Sequence, residues 1–237
     1  MFKSKLLIYT DCDFFAGCEK PIENITNYPK IIDQYDVTFV YRFSKKYADD
    51  LTYRNFHAKI KPIFIPNPNE IIKKVNQKSL IFLPYKVCIR ILERLQIFNL
   101  IYFFKQLKIL VKERPYIVHI NNGGYPGADS CRIMAITSRL MKINKIIFTV
   151  NNMAVPVRGL VDKFIDYLVN VSVDSFVTAS NAASEQLINI RKIDCEKTQS
   201  IPNAVLNDEI KIDENVSLRE EFNIEKDSLL IGSAGLL

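Results

Sequence analysis

Glycine is scarce in this sequence, and none of its seven copies falls into a GxGxxG or Walker A pattern. Both patterns use closely spaced glycines to bring backbone N–H groups against a phosphate, so their absence argues against a nicotinamide enzyme and against a P-loop NTPase. The five cysteines (Cys12, Cys18, Cys88, Cys131, Cys195) are an odd set without a CxxC pair. That spacing suggests neither a disulfide framework nor a zinc site, and it fits a reducing cytoplasm. Long apolar runs are missing too. The first one, 6–9, ends before Asp11 and is too short for a secretory signal. No internal repeat and no low-complexity stretch interrupts the chain.

What is present is enough to close a core. The 237 residues are 48% hydrophobic and 24% charged, well away from a disordered composition. That length suits one complete α/β domain and a remnant of a second, at roughly 100 to 200 residues per domain. The net charge of +6 is unevenly spread. Between Ile71 and Arg114 ten basic residues face only Glu93 and Glu113, a local net of +8, so the remainder sums to −2. A concentrated basic region implies an anionic partner: a membrane surface, a nucleic acid or a phosphorylated ligand.

Short apolar runs at 6–9, 37–41, 63–65, 116–120, 145–150, 175–179 and 198–201 alternate with longer helical patterns. This alternation predicts βαβ units and a Rossmann-like, doubly wound, mainly parallel α/β sheet. Asp129-Ser130 and Ser180-Asn181 read as helix starts. From 207 to 227 the texture changes to eight acidic and three basic residues with little strand character, predicting a linker with one short helix near 218–222. The segment 228–237 then reads as a strand with a Gly-containing loop, either opening a second domain or closing the first sheet. The resulting division is a first domain over 1–206, a linker over 207–227 and the first strand of a second domain over 228–237.

The chain resembles glycosyltransferase family 4 over residues 6–237. Asp13-Phe14-Phe15-Ala16-Gly17-Cys18-Glu19 is similar to the family's Gly-Gly-x-Glu loop after the first strand, with Ala16 in place of the first Gly. Ile201-Pro202-Asn203-Ala204-Val205 resembles the Pro-Asn-Gly-Val segment that ends the family's first domain, and 219–237 resembles the start of its second. The resemblance implies the first half of a GT-B fold and a retaining, metal-independent, hexosyltransferase-like enzyme of cell-surface polysaccharide synthesis. Its donor would be a nucleotide-sugar and its acceptor a glycan or a lipid-linked glycan, with no further cofactor. The family's two glutamates separated by seven residues belong to the second half, so the isolated chain is expected to be inactive. Where many members place a His after a strand, this sequence has Phe148-Thr149-Val150-Asn151-Asn152.

Gly17, Glu19, Asn121, Asn122 and Asn151 are the candidate acceptor-side residues. They fall at strand ends, where a glycine admits close backbone approach and amides can bond sugar hydroxyls; a plain turn is the other reading of both loops. Asp11-Cys12-Asp13 spells a DxD, but its place at the end of the first strand weighs against a metal, and none is expected. His119 reads equally as a site residue or a satisfied core histidine. If 86–112 is one helix, Lys86, Arg90, Arg94, Lys105, Lys108 and Lys112 share an arc of about 100°, with Ile97, Ile101 and Phe104 among them. That face suits either an anionic membrane surface, making the protein peripheral at the inner face of the membrane, or plain solvent. The segment has no recognised nucleic-acid motif, so no such partner is expected. A non-catalytic glycan-binding module or subunit, docking on a partner or membrane, is the alternative from another functional class.

Overall fold

The computed structural model describes residues 3–74, 82–203, 218–225 and 227–229. The chain divides into two compact units, Met1–Asn203 and Ala204–Leu237. The first holds β1 (Ser4–Thr10), α1 (Lys20–Asn27), α2 (Pro29–Gln34), β2 (Tyr35–Arg42), α3 (Lys45–Thr52), β3 (Lys59–Ile63) and α4 (Pro68–Lys74). It continues with α5 (Leu83–Arg94), α6 (Ile97–Glu113), β4 (Ile117–Asn122), α7 (Asp129–Leu140), β5 (Lys145–Val150), α8 (Leu160–Ser172), β6 (Ser175–Thr178), α9 (Asn181–Arg191) and β7 (Thr198–Ser200).

The seven strands form one parallel sheet in the order β3-β2-β1-β4-β5-β6-β7. The doubly wound α/β expectation holds, and the order reverses between β1 and β4. β1 lies in the middle, and its run Leu6 to Thr10 is buried on both faces, which is why it reads as a continuous apolar stretch. On one face Leu6, Ile8, Val37 and Phe39 pack against Ile22 of α1 and Tyr47 and Leu51 of α3. On the other, Leu7, Tyr9, Val118, Ile146 and Phe148 pack against Phe98 and Tyr102 of α6, Met134 of α7 and Val169 of α8. Each such fully buried aliphatic side chain stabilises the fold by roughly 1.5–3 kcal/mol.

β3 differs from its expected place, covering Lys59–Ile63 rather than 63–65. It is an edge strand with Lys59, Lys61 and Pro62, and an edge needs no apolar run and tolerates proline. The buried Ile63 and Ile65 mark its end.

Residues 86–112 are two helices, not one. Gln96 is left-handed (φ 61°, ψ 21°), a conformation that cannot continue a right-handed helix, and the chain changes direction there. Leu95 N and Gln96 N close the last turn of α5 on Ile91 O and Glu93 O. The single basic arc is therefore split into Lys86, Arg90 and Arg94 on α5 and the exposed Lys105, Lys108 and Lys112 on α6.

The two helix-start readings also separate. Ser180 caps α9, accepting from Ala183 N at 3.2 Å. At α7 the cap position is Ala128, which offers no side-chain oxygen, and Asp129 is the first helical residue. In the second unit α10 (Leu218–Glu221) forms where a short helix is expected, closed by Ile224 N on Arg219 O at 2.7 Å. The rest of the expected linker, 207–217, and most of the expected strand, 230–237, lie outside the described residues.

Candidate functional site

In a doubly wound sheet, ligands collect outside the carboxyl ends of the strands beside the point of reversal. Here that edge carries Asp11 to Asp13 after β1, Arg42 at the end of β2, the loop 123–128 after β4 and the loop 151–159 after β5.

The DxD is already occupied by a cation of the protein. Arg42, almost wholly buried, makes ion pairs with both Asp11 and Asp13 and a third with Glu70 Oε1 at 2.7 Å. Burial by itself would lower the Arg42 pKa, but Asp11 and then Glu70 more than offset this, and the guanidinium stays charged. Asp11 is held from the other side by Ser130 Oγ, which accepts from Tyr9 Oη at 2.9 Å. Gln106 Nε2 completes the cluster by donating to Ser130 O at 2.7 Å.

The loop after β1 is organised from inside. Glu19 is fully buried and accepts from Thr10 Oγ1 at 2.9 Å, Ala16 N at 3.0 Å and Cys18 Sγ at 2.9 Å. Its buried carboxylate, expected on the acceptor side, ties the loop to the strand. Gly17 is exposed, and a Cβ there would meet nothing within 4 Å, so no close approach accounts for the glycine. Cys12 and Cys18, six residues apart in sequence, come together with their sulfurs 3.9 Å apart. With Glu19 they form the only group of at least three among the described residues with metal-ligand spacing. The hydrogen bond with Cys18, followed by burial, pushes the Cys12 thiol pKa up.

The three candidate asparagines are gathered at one place, but they bond one another. Asn121 donates to Cys18 O at 3.0 Å and accepts from Asn151 Nδ2 at 2.8 Å. Asn122 donates to Pro126 O at 2.8 Å and accepts from Ala128 N at 3.3 Å. Asn151 Nδ2 also reaches Asn122 O at 3.0 Å, leaving Asn151 Oδ1 as a buried acceptor without a partner. These bonds clamp the ends of β4 and β5 and the loop after β1. His119, on β4, bonds Thr149 Oγ1 of β5 at 2.8 Å, and burial lowers its pKa to about 4. It is a neutral histidine of the sheet rather than a site residue.

The open space lies beside these clamps. A cavity of about 1130 Å³ is enclosed by α5, the loop after β4, the loop after β5 and the first turn of α8. Lys86, Arg90 and Arg94 line it from α5, and Arg158 lines it from the loop after β5. A smaller cavity of about 280 Å³, lined by Asp11, Asp13, Arg42 and Tyr102, shares Asn69, Glu93, Gln96, Gly127 and Asp129 with the first.

A buried ionic network fixes the floor of the larger cavity. Arg132 pairs with Asp129, with Asp162 at 2.5 Å and with Asp166 at 3.1 Å; Arg191 pairs with Asp162 and Asp166, each at 2.8 Å. Tyr125 Oη donates to Asp166 at 2.9 Å. Burial would raise the Asp162 pKa, but the Arg158 backbone N–H and the two arginines bring it below the usual carboxylate value. The same arginine holds the loop after β5, since Arg191 Nε donates to Val155 O at 2.6 Å. Val155 N in turn donates to Tyr125 O at 2.8 Å, joining the two loops. Gly127 is required there: its φ is +60°, and a Cβ would lie 2.2 Å from Asn122 Oδ1.

Tyr125, Arg158, Asp162, Asp166 and Arg191 were invisible as site residues in the sequence, because they come from four separate segments and follow no local spacing. The basic spacing 86–90–94 was the one usable signal.

No family model matches the sequence, and no curated protein does. Similarity emerges from solved structures. A glycosyltransferase from Rickettsia africae superposes with a TM-score of 0.60 at 15% identity, over 95% of this chain and 51% of that one. The Anabaena HepE protein in complex with UDP and glucose gives 0.54 at 10% identity, over 85% and 45%. The UDP-GlcNAc 2-epimerase of Neisseria meningitidis bound to UDP-GlcNAc gives 0.53 at 12%, over 84% and 47%. This chain spans about half the length of these structures, and it has the Rossmann-like fold of one half of a GT-B protein.

Proposed function

We propose that this chain is the acceptor-side half of a glycosyltransferase that moves a sugar from a nucleotide diphosphate donor to a carbohydrate-bearing acceptor in polysaccharide synthesis. The observation that carries this reading is the cavity at the carboxyl edge of β4 and β5, beside the reversal of strand order, in a fold shared with sugar-nucleotide proteins. Arg42, which already neutralises the DxD carboxylates, supports reading the transfer as metal-independent. Stabilisation of a leaving diphosphate then falls to fixed protein cations and dipoles. The floor network holds the two cavity loops in place before any ligand arrives, the preorganisation such a site needs. Retention of anomeric configuration rests on the family 4 resemblance. No helix among the described residues is long and apolar enough to cross a membrane. Attachment at the inner face of a membrane would rest on Lys105, Lys108 and Lys112 of α6, since the α5 residues face the cavity.

A second reading is sugar-nucleotide epimerisation, favoured by the likeness to the Neisseria enzyme. The two differ in whether an acceptor is consumed. The test is turnover of labelled UDP-glucose and UDP-GlcNAc by 1–237 and by the polypeptide read in the same frame through its stop codon. No transfer is expected from 1–237 alone, and label should pass to an acceptor with the longer polypeptide. Isomerised sugar without acceptor would establish the second reading, and no turnover by either would leave a glycan-binding module.

A further inference from the structure

The basic spacing of α5 points into the cavity of about 1130 Å³, and the cavity's composition says what it can hold. Lys86, Arg90 and Arg94 stand at i, i+4 and i+8, a single stripe along the helix. Leu83, Val87 and Ile91 form a parallel stripe beside it, each about half exposed. Val87 and Ile91 line the cavity with the three cations.

Charge across the lining is not balanced. Five cations (Lys86, Arg90, Arg94, Arg132, Arg158) stand against Glu93, Asp129 and Asp162, a net of +2. The acids are committed, Glu93 to Arg90 at 2.6 Å and the two aspartates to Arg132. Arg94 and Arg158 make no ion pair among the described residues. Within this set Arg132, 5% exposed, lines the cavity with its Nε unpartnered. Such a group costs stability unless a ligand or water meets it.

The opposite wall is apolar without being covered. Leu160 is 86% exposed and Val161 51%, at the first turn of α8, and Met153 and Val155 of the adjoining loop are each 43% exposed. Large apolar groups grouped around a cationic concavity mark a binding site, whereas scattered ones would not.

We propose that this cavity binds a single anionic amphiphile, its phosphate between Arg94, Arg158 and Arg132 and its alkyl portion along Val87, Ile91 and Leu160. The inference rests on reading the cavity as the acceptor pocket and assigns that acceptor to phosphate-bearing lipids. A bilayer surface is the less suitable occupant, because the site is concave and about 1130 Å³, the size of a pocket for one molecule.

The experiment is calorimetric titration of 1–237 with octyl phosphate, inorganic phosphate and octanol, at low and high salt. Octyl phosphate should bind one to one, at least ten-fold tighter than either fragment, and weaken as salt rises. The double variant Arg94→Gln, Arg158→Gln should lose at least ten-fold, and Lys105→Gln, Lys108→Gln, Lys112→Gln should lose none. All five positions are exposed, so the fold should survive, and unchanged melting checks this. Equal binding of inorganic phosphate and octyl phosphate, or loss with the α6 variant instead, overturns the proposal. Co-sedimentation with phosphatidylglycerol vesicles, abolished only by the α6 variant and accompanied by no octyl phosphate binding, assigns the anionic contact to a bilayer and likewise overturns it. No amphiphile binding alongside sugar transfer by the longer polypeptide sinks this inference alone, whereas amphiphile binding without turnover by the longer polypeptide sinks only the transferase reading.

Discussion

Single residues at the carboxyl edge divide into clamps and open groups. Asn121 is a clamp, and Asn121→Ala would remove one of the two bonds of the Asn151 amide and the side-chain donor to the Cys18 carbonyl. We expect a loss of about 1–3 kcal/mol in denaturant unfolding, where a purely substrate-facing amide would leave stability unchanged. Gly17→Ala should change stability by no more than about 0.5 kcal/mol, because the added methyl meets open space. His119 gives a pH signature. Its folded pKa of about 4 lies below the unfolded value near 6.5, so the unfolded chain binds the extra proton between them. Stability present above about pH 6.5 is therefore lost as pH falls toward 4, by up to about 3 kcal/mol. Melting followed from pH 7 to pH 4 should show a flatter loss in His119→Gln than in the parent chain.

At the scale of elements, five of the seven described strands carry an apolar run whose flanking turns suit a strand, and β7 (Thr198–Ser200) was placed without one. The seventh, β3, slipped because edge position replaces hydrophobicity with lysine and proline. The break between α5 and α6 was not legible, since Gln96 is an ordinary helix former and nothing local requires it to be left-handed. The basic residues were found, but two helices, not one, carry them. The floor network was hidden for a different reason: Tyr125, Arg132, Asp166 and Arg191 meet only when the elements that carry them are packed. Removing Asp166 tests that network. Asp166→Ala leaves two arginines short of an anion in a buried site and should cost about 3–5 kcal/mol in thermal or denaturant unfolding. Arg114 ends α6 in a left-handed conformation (φ 49°) while exposed, so Arg114→Gly should raise stability by about 1 kcal/mol.

For the molecule as a whole, the sheet order places the ends of β1 and β4 side by side, and the larger cavity opens beside them against α5. Its loops are held from below by paired charges, while its α5 wall presents cations and aliphatic groups together. We place the ligand at this edge rather than on the outer lysine face of α6. The most direct measurement is amide chemical-shift mapping of labelled 1–237 during titration with octyl phosphate. Saturable shifts are expected at Gly124, Gly127 and Arg158 and along α5 at Arg90 and Arg94, with Lys105, Lys108 and Lys112 unmoved. Shifts confined to α6, or the absence of any saturable response at the ends of β4 and β5, would contradict it.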